Sequence, residues 1–253
     1  KGKIVKGEIS LKNQERTWVF TPFNNWQSSP YRIQIKANLE RWRWLPRSFG
    51  NFYILVNIAN YDLVVMKDGV ETKRHKVIAG KTARKTPVFS SKMSYVVLNP
   101  TWTVPPGIIQ NDIIPAMQKD PSYLSKKNIE LLNSAGNIVD PKTIDWNTKV
   151  PMALTYRQPL GKDNALGAVK FMFPNSYFVY IHDTPSKDLF NKNERAFSSG
   201  CIRTQDPLLL AEHLLNDPSK WSIDQINKVV ETKTTQTIML SEQPNVYILY
   251  WKD

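Results

Sequence analysis

One cysteine, Cys201, stands in a chain of 253 residues. No intrachain disulfide can form, so cysteine usage leaves the redox compartment open. A lone thiol also has no internal partner to mispair with, which keeps export compatible. Histidines number three, scattered at positions 75, 182 and 213. Zinc-ligand spacing is therefore absent, and neither a metal nor a cofactor is expected. The chain has no Gly-rich phosphate loop, no Gly-x-Ser-x-Gly elbow, no internal repeat and no low-complexity tract. Long hydrophobic runs are missing too. The longest uncharged apolar stretches, Tyr177–Ile181 and Val246–Trp251, have strand length, which excludes a transmembrane helix in this sequence.

Acidic residues are in the minority, 22 against 34 Lys and Arg, for a net charge of +12. Such a balance favours an anionic partner (nucleic acid, an acidic membrane surface or an acidic polymer), or is a solvated basic surface. The basic residues are dispersed, as at Arg41–Arg43, Lys81-Arg84-Lys85 and Lys126–Lys127. Without a nucleic-acid motif or one long basic run, net charge alone speaks for nucleic acid, and none is expected as partner.

What is present is ordinary for a globular protein: 41% hydrophobic and 22% charged residues, in a length that suits one large domain or two small ones. Eight Trp within an aromatic share of 11% suggest a β-rich body or aromatic-lined grooves. The chain begins at Lys1 with no charged-then-apolar leader, so a trimmed chain that has lost a secretion signal is expected.

Residues 1–30 read as an irregular or short-stranded flanking segment without assignment, ending in a Gln27-Ser28-Ser29-Pro30 break. Tyr31–Leu45 carries Ile33, Ala37, Trp42 and Leu45 at helical spacing and stops at Pro46. An apolar, β-branched series follows over 52–58, 61–66 and 72–79, with Asp68-Gly69 as a hairpin turn. Tyr95–Leu98 is a further strand candidate. From Pro105 to about Leu160 the character changes to short helical pieces, one of them started by Asp120-Pro121 and running over Tyr123–Leu132. This stretch reads as an insertion over a β core, a lid. Strands resume at Val169–Phe173 and Tyr177–His182. Helices begin at Asp206-Pro207 and at a Ser222/Gln225 capping box, and strands at Thr237–Leu240 and Asn245–Trp251 close the chain. The fold class is α+β: mostly antiparallel sheets, helices at one side and a helical insertion.

Chemistry concentrates in Tyr180-Ile181-His182-Asp183-Thr184-Pro185 and Ser198-Ser199-Gly200-Cys201-Ile202-Arg203. His182 ends an apolar strand, and nineteen positions later a thiol directly follows a glycine. A thiol at its reference pKa of about 8.5 is only slightly ionised at neutral pH, and an adjacent imidazole raises its reactive fraction. Glycine before a nucleophile lets the backbone bend sharply and a substrate approach closely. Backbone amides at such a turn can hold an oxyanion, each contributing about 3–4 kcal/mol in hydrolases. Against this, a lone cysteine is usually an inert small hydrophobe, and a histidine at a strand end is usually structural. The polar loop before Cys201 and its Ser/Gly-rich turn leave both readings standing. His213 reads as a satisfied helix histidine and His75, among Lys73, Arg74 and Lys76, as solvent-facing. Asp183 adjoins His182 but points to the opposite face of an extended segment; a backbone carbonyl is the expected partner of the imidazole.

These residues resemble the signature of the L,D-transpeptidase catalytic domain (YkuD-type): a His, a spacer, then Ser/Thr, commonly His, Gly, Cys, a hydrophobic residue and Asn or Arg. Here fifteen residues separate His182 from Ser198. Ser199 stands where many members have a second His. That departure, with His182-Asp183-Thr184-Pro185, resembles the larger periplasmic Gram-negative branch that carries an inserted capping subdomain, and Asn38–Pro46, Asn99–Pro105 and Phe173-Pro174-Asn175 agree with that branch. The resemblance spans roughly residues 31–251. It implies a catalytic domain over 31–253 with a capping lid over 105–160. It implies Cys201 as nucleophile, His182 as base and the amides of Ser199, Gly200 and Cys201 as oxyanion site. Tyr180, Trp102, Arg203, Thr184 and Asn175 would bind substrate. It further implies peptidoglycan stem peptides as donor and acceptor, carbapenem β-lactams as covalent inhibitors, and a place in the periplasm or cell envelope. Hydrolysis by the same cysteine (an L,D-carboxypeptidase or wall-protein amidase) and a non-enzymatic basic wall-binding module are the alternatives.

Overall fold

The computed structural model describes residues 7–12, 17–22 and 29–251. The chain divides into two units, residues 1–49 with 250–253 and residues 50–249. In the first, β1 (Gly7–Lys12) and β2 (Thr17–Pro22) pair antiparallel, and α1 (Ser29–Arg43) matches the helix expected before Pro46. The remaining parts of the flanking segment, 1–6, 13–16 and 23–28, lie outside the described residues, as do 252–253. The Trp42 ring stacks on Trp251 at 4.6 Å, so the two ends of this unit meet.

The second unit is built on strands whose alternation the sequence predicts. In β3 (Phe52–Asn57), β4 (Asp62–Lys67) and β5 (Val70–Gly80), Ile54, Val56, Leu63, Val65, Val77 and Ala79 turn to one face and are buried. Asp68 and Gly69 both take positive φ, 50° and 79°, as a two-residue primed turn requires. There follow β6 (Phe89–Lys92), β7 (Tyr95–Leu98), β8 (Trp102–Thr103), α2 (Pro106–Ile108), a π-helical turn over Ile109–Ile113, α3 (Ile114–Lys119) and α4 (Tyr123–Lys126). Next come β9 (Glu130–Leu132), β10 (Ile138–Val139), β11 (Thr155–Gln158), β12 (Val169–Met172), β13 (Ile181–His182), β14 (Ala196–Ser198) and β15 (Ile202–Thr204). The chain closes with α5 (Pro207–Leu215), α6 (Ile223–Glu231), β16 (Gln236–Met239) and β17 (Asn245–Leu249).

The large sheet runs β16-β7-β12-β13-β15-β5-β4-β3-β17-β6, with β14 also on β5. Its pairs are mostly antiparallel; β13/β15, β14/β5 and β17/β3 are parallel. Leu210, Ala211, Leu214, Leu215 and Ile226 of α5 and α6 complete the core on one face of this sheet. The fold is thus α+β. The Ser222/Gln225 capping box forms as the sequence predicts, and α5 starts at Pro207.

The insertion has its own architecture. Residues 102–158 form a four-stranded sheet, β10-β9-β11-β8, over a separate apolar core of Val104, Ile109, Ile113, Met117, Leu124, Ile129, Leu131 and Tyr156. It is therefore mixed, not helical alone. The helix expected over Tyr123–Leu132 ends at Lys126, because Asn128 takes φ +51° and Glu130–Leu132 then pairs with β11. Asp120 does not cap the helix but accepts the Ser122 amide in a turn. Two further expectations are corrected. The strand expected over Tyr177–His182 is regular only at Ile181–His182; before it, Phe178 is left-handed at φ +56° and breaks the run. His75 is not solvent-facing. Strand alternation puts it on the same face as Val77, where it is 7% exposed with Nδ1 3.0 Å from the Gln205 carbonyl.

Candidate active site

The parallel pairing of β13 with β15 is what assembles the site. Ile181 lies opposite Ile202 and His182 opposite Arg203, and the Ile202 amide donates to the Tyr180 carbonyl at 3.1 Å. Ile181 and Ile202 are fully buried in the core. By strand alternation Tyr180, His182, Cys201 and Arg203 all turn to the other face. There they line one cleft of about 730 Å³ together with Trp102, Ser199 and Gly200. One wall is the main sheet's edge of loops; the other is the start of the insertion, Pro105 to Asp112.

His182 is 5% exposed, and its Nδ1 bonds the carbonyl of Asp183. With the proton on Nδ1 donated to that carbonyl, Nε2 is left as the basic nitrogen. The Asp183 carboxylate is engaged elsewhere, accepting from the amides of Ala168 and Thr184 and pairing with Lys187. A backbone carbonyl, as the sequence analysis expects, orients this imidazole. The Tyr180 ring packs edge-on to it at 5.5 Å. Across the pairing on the other side, Lys170 of β12 is in register with His182, its ammonium 5.9 Å from the Tyr180 ring centre. Lys170, His182 and Arg203 thus form a row across three strands.

That row sets the electrostatics. Burial, the Arg203 charge and then Lys170 push His182 down to about 3, partly opposed by the Asp183 carbonyl. The imidazole is neutral throughout the physiological range. Burial pushes the Cys201 thiol up, while hydrogen bonding to Tyr180 and the Arg203 charge pull it back. Burial also raises Tyr180, whose hydroxyl interacts with the Trp102 indole and the Cys201 thiol. Both groups are therefore uncharged at rest: His182 is a neutral imidazole, and Cys201 is a thiol whose Sγ donates to the Phe178 carbonyl at 3.8 Å.

The turn that presents Cys201 is braced from both sides. Gly200 takes φ +120°, a conformation that L side chains rarely adopt. The Ser198 hydroxyl donates to the Cys201 carbonyl at 2.5 Å and accepts the Gly200 amide at 3.1 Å. This use of the Gly200 N–H removes it from the three amides expected for an oxyanion. Those of Ser199 and Cys201 have no acceptor among the described residues. The Thr86 hydroxyl accepts the Gly80 amide at 2.9 Å and donates to the Gly200 carbonyl at 2.8 Å. Thr86→Val keeps the shape and leaves both partners buried and unpaired. It should cost about 1–3 kcal/mol, read as an earlier denaturation midpoint, with slower thiol acylation; an unchanged midpoint would remove Thr86 from this role.

Two residues expected to touch substrate are not brought to the cleft. The Asn175 amide ties its own loop, bonding the carbonyls of Phe173 and Val179 and the amides of Tyr177 and Val179. Thr184 is 1% exposed and accepts the Ser186 amide. Arg203 does line the cleft, and its Nε is buried without a partner among the described residues. His213 bonds Thr72 at 2.9 Å, away from the site. Sequence reasoning missed Thr86, Arg84 and Asp112, all tied to this turn. Among the described residues no group of three His, Cys, Asp or Glu could hold a metal, and no helix is long and apolar enough to cross a membrane.

The family model for the L,D-transpeptidase catalytic domain (YkuD) matches residues 51–236. A Haemophilus influenzae protein, provisionally named an L,D-transpeptidase, is 39% identical over 220 residues, 86% of this chain and 44% of that protein. The chain thus spans less than half of that relative's length. Among solved structures, L,D-transpeptidase 3 of Mycobacterium tuberculosis aligns with 97% of this chain and 79% of its own at 11% identity and a TM-score of 0.39. The ertapenem-acylated catalytic domain of the Enterococcus faecium L,D-transpeptidase aligns with 80% of this chain and 99% of its own, at 13% identity and a TM-score of 0.36.

Proposed function

We propose that this chain, which belongs to the L,D-transpeptidase catalytic-domain (YkuD) family, is a peptidoglycan cross-linking acyl transferase with Cys201 as nucleophile and His182 as base. The observation that carries the reading is the parallel β13/β15 register, which sets both side chains on one sheet face at the floor of one cleft. The catalytic domain comprises residues 31–253, with 105–160 as its lid.

The donor is a tetrapeptide stem whose diaminopimelate carbonyl bonds the terminal D-Ala. As the Cys201 sulfur attacks that carbonyl, His182 Nε2 takes the thiol proton. The carbonyl oxygen, now negative, is held by the Ser199 and Cys201 amides. Collapse breaks the C–N bond, the imidazolium returns its proton to the leaving D-Ala amine, and a thioester to Cys201 remains. The side-chain amine of a second stem's diaminopimelate then attacks, gives its proton to His182, and expels the sulfur.

The cleft's charge fits this substrate. Of its lining residues Lys85 and Arg203 have no carboxylate partner among the described residues, and the one carboxylate, Asp112, is paired with Arg84. A stem bearing several carboxylates is the natural complement, with Arg203 as a bidentate holder and Tyr180 and Trp102 as walls. The same cysteine is the expected site of acylation by carbapenems, and the cell envelope, in the periplasm, is where such stems are found.

Incubation with purified disaccharide-tetrapeptides and mass spectrometry of the products tests the reading. Cross-linked dimers with release of D-Ala are expected. Trimmed monomers without dimers would mean that water resolves the thioester, and unchanged substrate would leave only a binding module.

A further inference from the structure

Arg84 links the insertion to the turn that carries Cys201: it pairs with Asp112 of the one and donates to the Ser199 hydroxyl of the other. Its guanidinium forks onto Asp112, with Nη1–Oδ2 at 2.5 Å and Nη2–Oδ1 at 2.7 Å, and Nη1 also donates to the Ser199 hydroxyl at 3.2 Å. Among the described residues it is the single ion pair between residues 102–158 and the rest of the unit.

Both ends of this link are held firmly. Asp112 belongs to the π-helical turn, flanked by Ile109 and Ile113, which are buried in the insertion's own core. Such turns interrupt a regular helix and tend to occur where a side chain must be re-aimed. At the other end, Arg84 closes a turn by donating its amide to the Lys81 carbonyl at 2.8 Å, while the Lys81 amide donates to Ser198 at 3.0 Å. A Cβ on Gly80 would meet the Arg84 carbonyl at 2.2 Å and the Thr86 nitrogen at 2.6 Å, so the 81–86 loop is pressed against the end of β5. From that loop Thr86 reaches the Gly200 carbonyl. Hydrogen bonds joined through the 84–86 backbone therefore connect Asp112 of the insertion to Ser199 and Gly200, the Arg84–Asp112 pair part-buried, the Arg84–Ser199 bond exposed and the Thr86–Gly200 bond buried.

We propose that Arg84 is a positioning residue for acylation: seating of the insertion delivers Asp112 to Arg84, and Arg84 in turn fixes Ser199 and the amides beside Cys201. The proposal rests on Cys201 being the nucleophile. A planar fork suits this task because it spans two acceptors at once, one from each side of the cleft. Lysine carries the same charge but has no such fork.

The test is single-turnover acylation by imipenem, followed by intact-protein mass, which separates the first-order rate at saturation from the concentration that half-saturates it. Arg84→Met, Asp112→Ala and the double variant are compared with the unmodified chain. Each single change should lower the first-order rate about tenfold or more, as a misplacement of reacting groups does, with a smaller effect on half-saturation. The double variant should be no slower than the slower single one, since both act through one link. Arg84→Lys should also be slow, which separates the fork from the charge; it carries the test if the Met variant melts early. Wild-type first-order rates in folded variants, or losses that multiply in the double variant, would overturn the proposal alone. Failure of the unmodified chain to acylate at Cys201 would sink the underlying reading, and this one with it.

Discussion

Cys201→Ala should yield a protein that melts normally, gains no mass from imipenem and makes no dimer from tetrapeptide stems. The effect on turnover should be at least about a thousandfold, because a reacting atom is deleted and only binding and electrostatic stabilisation remain. The fold should hardly notice. The side chain is small and only partly buried, the backbone around it is held by Ser198 and Thr86, and the lost contacts are worth about 1 kcal/mol or less. Since Cys201 is the chain's only cysteine, any residual thioester-type adduct is excluded by composition. An adduct that persists in the Ala variant would transfer the chemistry to another nucleophile and end the interpretation.

His182→Ala should slow acylation by about a hundred- to ten-thousandfold at neutral pH, the usual worth of a positioned general base. Its pH profile is the more telling readout. In the unmodified protein the base is held near 3 by burial, Arg203 and Lys170, so acylation should show no inflection near the ordinary imidazole value of about 6.5. In the variant only the small thiolate fraction reacts, and the rate should climb with pH, roughly tenfold per unit below the thiol's raised pKa. An inflection near 6.5 in the unmodified protein, or a variant as fast as it at pH 7, would count against the dyad. Stability follows from the same depression. Between the folded value and about 6.5 the unfolded chain binds the proton that the folded one refuses, so stability rises with pH across that window and is lost as pH falls. The Ala variant should show a shallower loss toward acid.

The parts of this architecture legible in the sequence are those set by near neighbours. Asp68-Gly69 carries its own turn chemistry, Ser222 and Gln225 cap their own helix, and alternation in β3 to β5 selects one face. The candidate site residues are legible through the motif that carries the family resemblance; the β13/β15 register then places His182 opposite Arg203, with Tyr180 and Cys201 at the positions just before each strand. What escaped depends on distant pairing. Glu130–Leu132 looks helical until β11, well beyond it in sequence, claims it as a strand. Tyr177 to Val179 reads as strand because the left-handed turn at Phe178 falls on a residue type that rarely adopts it. His75 sits between cations in sequence and under Gln205 in space. Thr86 and Arg84 act on residues more than a hundred positions away, and a threonine or an arginine in a polar loop gives no local sign of such a partner.

The low basicity forced on His182, together with the raised thiol, bears on how the sulfur meets oxidants. A sulfur anion attacks peroxide to give a sulfenic acid, and attacks disulfides to give a mixed disulfide; both are reversible, but further oxidation of the sulfenic acid is not. Kept protonated at rest, the sulfur offers such oxidants little to react with. In the proposed mechanism its anion comes into being only while a carbonyl lies within reach, which would keep the lone cysteine reduced between turnovers.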